Sequence, residues 1–146
     1  MSDQQVAALL AREAVRDLPL RYCDCVWRDD VEGILELFAA DGSFTAVFNG
    51  KESAFAGTQA LREFYIGGLD MKPRPYIHNH VIELLSETTA SGRCYLDLRI
   101  ASNNMEWLGA GYYEDDYIAV NGVWKFQARR FMALRMNELP AGFDAT

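Results

Sequence analysis

Gly92-Arg-Cys-Tyr-Leu-Asp-Leu-Arg-Ile100 alternates without a break. Leu96, Leu98 and Ile100 fall on one face and Tyr95, Asp97 and Arg99 on the other, the period-2 signature of a strand with two unlike faces. Upstream, Tyr76-Ile-His-Asn-His-Val-Ile-Glu-Leu-Leu85 is rich in β-formers, and Ser86-Glu-Thr-Thr-Ala90 interrupts it. Downstream, Ser102-Asn-Asn-Met105 marks a turn and Glu106 to Val120 the next strand. Asn121-Gly122 then closes a sharp hairpin, since both positions of a two-residue turn need positive φ. Val123-Trp-Lys-Phe-Gln-Ala-Arg-Arg-Phe131 returns antiparallel. Tyr76 to Phe131 is therefore read as a curved meander of three long strands with one face to cover.

The N-terminal half supplies the cover. Asp3 is placed to cap a helix through Val6, Leu9, Leu10 and Ala14. Pro19 is expected to break or kink it, after which Leu20, Tyr22, Cys23, Val26 and Trp27 continue. Asp29-Asp30 offers caps for a short helix, Val31 to Ala39. Asp41-Gly42 reads as a turn, Ser43 to Phe48 as a strand, Asn49-Gly50 as a tight hairpin and Glu52 to Ala56 as its return. Thr58 is placed to cap a helix from Gln59 to Ile66 that Gly67-Gly68 ends. Met71-Lys-Pro-Arg-Pro75 reads as an extended connection. Helices precede the long strands instead of alternating with them, so the class is α+β in one domain, 1–146.

Of the 146 residues, half are hydrophobic, and the formal net charge is −7. That composition argues against disorder, and that charge against nucleic acid and anionic membrane surfaces as partners. Neither a transmembrane span nor a signal-peptide pattern is present, and the expected location is cytoplasmic. Cys23, Cys25 and Cys94 read as small buried apolar residues.

Several pieces in this order resemble the SnoaL-like branch of the nuclear-transport-factor-2-like superfamily. They are Arg21-Tyr22 followed by Asp29-Asp30, Leu37-Phe-Ala-Ala-Asp-Gly-Ser-Phe44, Gly57 before a short helix and His78-Asn-His-Val-Ile-Glu83. Gly111-Tyr-Tyr-Glu-Asp115, Asn121-Gly-Val-Trp-Lys-Phe126 and Arg129-Arg130 complete the match. The resemblance implies an NTF2-like cone: a curved mixed or antiparallel sheet wrapped around N-terminal helices, with an apolar pocket and a homodimer through the outer sheet face. It also implies a small hydrophobic ligand and cofactor-free lyase or isomerase chemistry on an aromatic or polycyclic substrate, as in scytalone and bile-acid 7α-dehydratases. The alternative is a non-catalytic binding or assembly module, including an oxygenase small-subunit role. Fold alone does not choose between them.

The departures matter as much as the matches. In dehydratase-like members an Asp on the long helix orients a His on the first long strand. Here those positions hold Trp27 and Pro75. Tyr22 matches a tyrosine that polarises a substrate oxygen. His78 and His80 are the remaining catalytic candidates, one of them brought inward if a bulge interrupts the strand. A regular strand instead puts Ile77, Asn79 and Val81 inward and both histidines outward. Trp27, Asn79, Leu98 and Arg129 are the expected substrate-binding residues. Trp107, Tyr112, Tyr113, Trp124 and Phe131 are further candidates for a pocket wall. Asp24 lies about 200° around the helix from Tyr22 and so does not share its face. Of the acidic run Glu114 to Asp116, Asp115 alone points with Tyr113. No metal and no cofactor are expected.

Overall fold

The computed structural model describes residues 1–137; residues 138–146 of the expected domain lie outside the described residues. A long helix, α1 (Asp3–Trp27), is followed by a short one, α2 (Val31–Glu36), and a hairpin of β1 (Phe38–Phe48) and β2 (Lys51–Ala56). Helix α3 (Thr58–Gly68) and a 3₁₀ turn (Leu69–Met71) lead into β3 (Pro73–Leu84), β4 (Thr89–Ile100), β5 (Glu106–Val120) and β6 (Val123–Met136). The six strands form one mixed sheet in the order β2-β1-β6-β5-β4-β3, with β1 and β6 parallel. The architecture is the expected α+β arrangement, a curved, unclosed sheet with N-terminal helices on its inner face. The meander holds four strands, not three, because the segment after Asn121-Gly122 pairs along the full length of β5.

Local chemistry accounts for most boundaries. Ser2, not Asp3, caps α1, in a reciprocal box with Gln5. Pro19 sits inside α1, buried, without ending it; packing of the flanking turns on the core outweighs the lost hydrogen bond. Asp30 caps α2 through the Gly33 amide. That helix stops at Glu36, short of Ala39, because Phe38 already pairs with Phe126 of β6. Gly57, at φ 86°, takes the N-cap position of α3 that Thr58 was expected to hold. Asn49-Gly50 and Asn121-Gly122 both adopt the positive φ their turns require.

The core lies between α1, α2, α3 and the inner sheet face. Val15, Ile34, Leu61, Leu96, Leu108 and Phe126 are among its least exposed members. The alternation of β4 holds, with Leu96, Leu98 and Ile100 buried and Tyr95 exposed. Strand β3 departs from regularity: its register with β4 shifts between Ile77 and His80. Beyond the bulge the faces exchange, so Ile82 is buried while Asn79 and Val81 are exposed. Among the described residues no helix is long and apolar enough to cross a membrane.

Candidate functional site

Two features sit side by side inside the cone, an apolar cavity and a line of buried polar groups. The cavity holds about 80 Å³ and is walled by Tyr22 and Val26 of α1, Phe44 and Ala46 of β1, and Phe64, Tyr65 and Gly68 of α3. Leu69, Pro73 and Pro75 form one side, and Leu98, Tyr113 and Phe131 of the sheet form the floor. The Tyr22 and Tyr65 hydroxyls hydrogen-bond each other at 2.8 Å. Burial raises the pKa of both phenols far above the ordinary value, so both are neutral donors.

Behind the tyrosines lies Arg129, fully buried, as is the side chain of Asp115. Their Nε–Oδ1 separation is 3.1 Å. The guanidinium carbon is 3.5 Å from the ring centre of Tyr113, 4.3 Å from Tyr22 and 4.6 Å from Phe126. A desolvated guanidinium over π faces gains about 2 kcal/mol per good contact. Among the described residues neither Nη1 nor Nη2 has a hydrogen-bond partner, so rings and a single carboxylate face the charge there. Burial works against that charge, but Asp115 holds the Arg129 pKa above the usual guanidinium value.

From Asp115 the line continues outward. Tyr117 donates to Asp115 Oδ2 at 2.8 Å, and His80 Nε2 meets the Tyr117 hydroxyl at 3.0 Å. Burial pushes the Asp115 carboxyl up to about 6, against the pull of Arg129 and of the Tyr117 hydroxyl. Burial, aided by Arg129 and Arg16, pulls the half-buried His80 down to about 4, so its imidazole is neutral at pH 7. Gly92 makes room for this line: a Cβ there would lie 2.9 Å from the Tyr117 hydroxyl and 2.9 Å from the Val81 carbonyl.

The sequence-derived candidates separate into groups. Tyr22 and Leu98 line the cavity, and Arg129 lies behind it. His80 points inward because of the bulge, but next to Tyr117 rather than in the cavity. His78 is on the outer face, half exposed, with Nε2 at 2.7 Å from Asp97 Oδ2. Asn79 is exposed, so the regular-strand expectation that placed it inward does not hold. Trp27 is at the sheet edge, where its indole N–H donates to the Pro75 carbonyl at 2.7 Å. Of the aromatic candidates, Tyr113 and Phe131 line the cavity, while Trp107 donates to Asp97 on the outer face. Asp24 pairs with Arg28 on the exposed side of α1. Sequence reasoning missed Tyr65 and Tyr117 and gave Asp115 no role; its shared face with Tyr113 was the available signal. Among the described residues no group of three His, Cys, Asp or Glu side chains converges as a metal site requires.

The SnoaL-like domain family matches residues 7–130. The chain belongs to this family. No curated protein matches it. Rv3472 of Mycobacterium tuberculosis, a protein of unknown function, is 27% identical over 92% of this SnoaL-like chain and 76% of its own, with a TM-score of 0.76. A scytalone dehydratase-like protein of Novosphingobium aromaticivorans is 18% identical, with 97% and 93% covered and a TM-score of 0.74. A β subunit of the aromatic-ring-hydroxylating dioxygenase type from the same organism is 20% identical, with 92% and 96% covered and a TM-score of 0.76. The last two likenesses are of fold.

Proposed function

We propose that this SnoaL-like protein binds a small, largely apolar molecule in the cavity and holds its one polar atom at the Tyr22–Tyr65 hydroxyl pair. That pair carries the reading. Two neutral phenols bonded to each other at 2.8 Å can turn to a ketone or phenol oxygen inserted between them. The volume of about 80 Å³ is below the range of about 300–1,000 Å³ for drug-sized ligands, which favours a ligand of one ring over a polycyclic one. The Trp27–Pro75 bond occupies the two positions where dehydratase-like relatives place their acid and base, which favours binding over elimination. Calorimetric titration with phenol, cyclohexanone and toluene tests the reading. Saturable binding of the first two, weakened about tenfold by Y65F with toluene unaffected, supports it. Absence of binding to the wild-type protein overturns it.

A cofactor-free lyase or isomerase is the second reading. It is supported by His80, an inward imidazole neutral at pH 7 and tied through Tyr117 to Asp115. Tyr22 would polarise the substrate oxygen and His80 move the proton, with His78 uninvolved on the outer face. Turnover lost in H80Q and kept in H78A distinguishes this reading. Exposed Tyr76, Val81, Tyr95 and Leu134 on the outer face support a homodimer. A concentration-independent monomer mass in size-exclusion light scattering would exclude the homodimer. The oxygenase-subunit alternative requires co-purification with a larger chain.

A further inference from the structure

Gly68 is a gap in an otherwise regular apolar stripe. Helix α3 turns Leu61, Tyr65 and Gly68 to the core, and all three are buried. Positions i, i+4 and i+7 lie on one helix face. Leu61 and Tyr65 fill their places with side chains. Gly68 brings none, and it stands in the wall of the cavity with Leu69, Pro73 and Leu98.

The usual reasons for a glycine are absent at this position. Its backbone is right-handed helical, with φ −66° and ψ −32°, so no positive φ calls for it, in contrast to Gly57 at 86°. It does not end the run of helical backbone either. Leu69 is still right-handed, and the left-handed residue is Lys72, after the 3₁₀ turn. Nothing crowds it: a Cβ at Gly68 would meet nothing within 4 Å, whereas one at Gly92 would meet the Val81 carbonyl at 2.9 Å. Glycine in a helix costs stability relative to alanine, and here neither backbone nor packing asks for it. Because Gly68 is buried and lines the cavity, the open space its Cβ would enter is the cavity's own.

We propose that Gly68 sets the size of the molecule the cavity takes: the space of its missing side chain receives part of the ligand's apolar body, and any side chain there restricts the site to smaller ligands. The ligand's identity rests on the reading above; the gap does not. Tyr65 lies one turn before Gly68 on the same face, so the gap adjoins the residue that holds the oxygen in that reading. In a volume of about 80 Å³ a single methyl group decides what fits, because interiors are close-packed. One methylene in an apolar pocket changes discrimination by about tenfold or more.

Three measurements on the full chain, comparing wild type with G68A and G68V, test the size limit. G68A should unfold thermally at the wild-type midpoint or about 2–4 °C above it. A midpoint lowered by that much would make the glycine a structural requirement and overturn the proposal. Xenon needs no hydroxyl partner and enters dry apolar cavities. Under xenon pressure the Leu69 and Leu98 methyl NMR signals should shift in wild type, shift about half as far in G68A and stay in place in G68V. Equal shifts in all three proteins, or none in wild type, overturn the gap. In calorimetric titration, the methylphenol isomer that binds wild type most tightly should lose about tenfold in affinity in G68A, with phenol changed less than about threefold. G68V should weaken both. Equal affinities across the three proteins, or equal weakening of both ligands in G68A, overturn the size limit. The expected xenon pattern without phenol or methylphenol binding to wild type leaves the gap at Gly68 standing and overturns the ligand reading.

Discussion

The indole N–H of Trp27 donates to the carbonyl of Pro75 at 2.7 Å, and the Cys23 thiol reaches the same oxygen at 3.3 Å. The sequence resemblance assigns an acid and a base of dehydratase-like proteins to the positions of Trp27 and Pro75; in this chain the two residues share a structural hydrogen bond. Tyr76 packs edge-on against the indole at 5.4 Å between ring centres. In W27F the carbonyl keeps only a weak thiol donor, so the expected loss is about 1–2 kcal/mol in urea unfolding, with affinity for cavity ligands retained. If W27F abolishes binding while the fold persists, the indole has a direct ligand role.

Arg129 and Asp115 face each other across β5 and β6 with both side chains fully buried. Removing one partner leaves an uncompensated charge in the core. D115L and R129M should each cost about 3–5 kcal/mol of stability, whereas D115L/R129M should recover most of it. Unfolding of the two single variants and the double variant closes the cycle. Simple additivity would show that the two charges do not interact.

His80 gives a pH signature of defined sign. Burial holds its native pKa at about 4, below the ordinary imidazole value of 6.5. Above pH 6.5 the imidazole is neutral in both states and contributes nothing. As pH falls below 6.5 the unfolded chain takes up a proton that the native chain refuses, so the native state loses ground until about pH 4. Asp115, raised from 3.8 to about 6, acts oppositely over an overlapping window, because its native form takes up a proton first. The two are separated by difference. The stability of wild type relative to H80N should be flat above pH 7 and decline between pH 6.5 and 4. A difference constant with pH would show that His80 titrates normally.

Gly92 is the position where a single methyl group should break the polar line. Its backbone neighbour, the Val81 carbonyl of β3, is fixed by the pairing of β3 with β4, and the Tyr117 hydroxyl is held between His80 and Asp115. G92A should therefore cost about 1–3 kcal/mol and, by displacing Tyr117, move the His80 titration upward toward 6.5. Proton NMR of the His80 ring signals reads the second effect. An unmoved titration with lowered stability would mean that the strand shifts and the line does not.

Periodicity, turn residues and caps were enough to set the fold class, because each is a local property. The alternation of β4, the two Asn-Gly turns and the caps of α2 follow from a few residues each, and so does the inward direction of Tyr22 and Leu98. The site is less legible. Counted outward from Asn121-Gly122 in a regular hairpin, Asp115 faces Ala128. One extra residue of β6, at the irregularity beside Asp116 and Tyr117, brings Arg129 opposite instead. The extra residue of β3 between Ile77 and His80 likewise turns His80 in and Asn79 out. Sequence by itself determined which segments are strands and which face of each regular strand is apolar. Tertiary structure decided where the strands slip by one residue. A bulge is settled by the packing and hydrogen bonding of two distant segments together, and a slip of one residue exchanges every face beyond it.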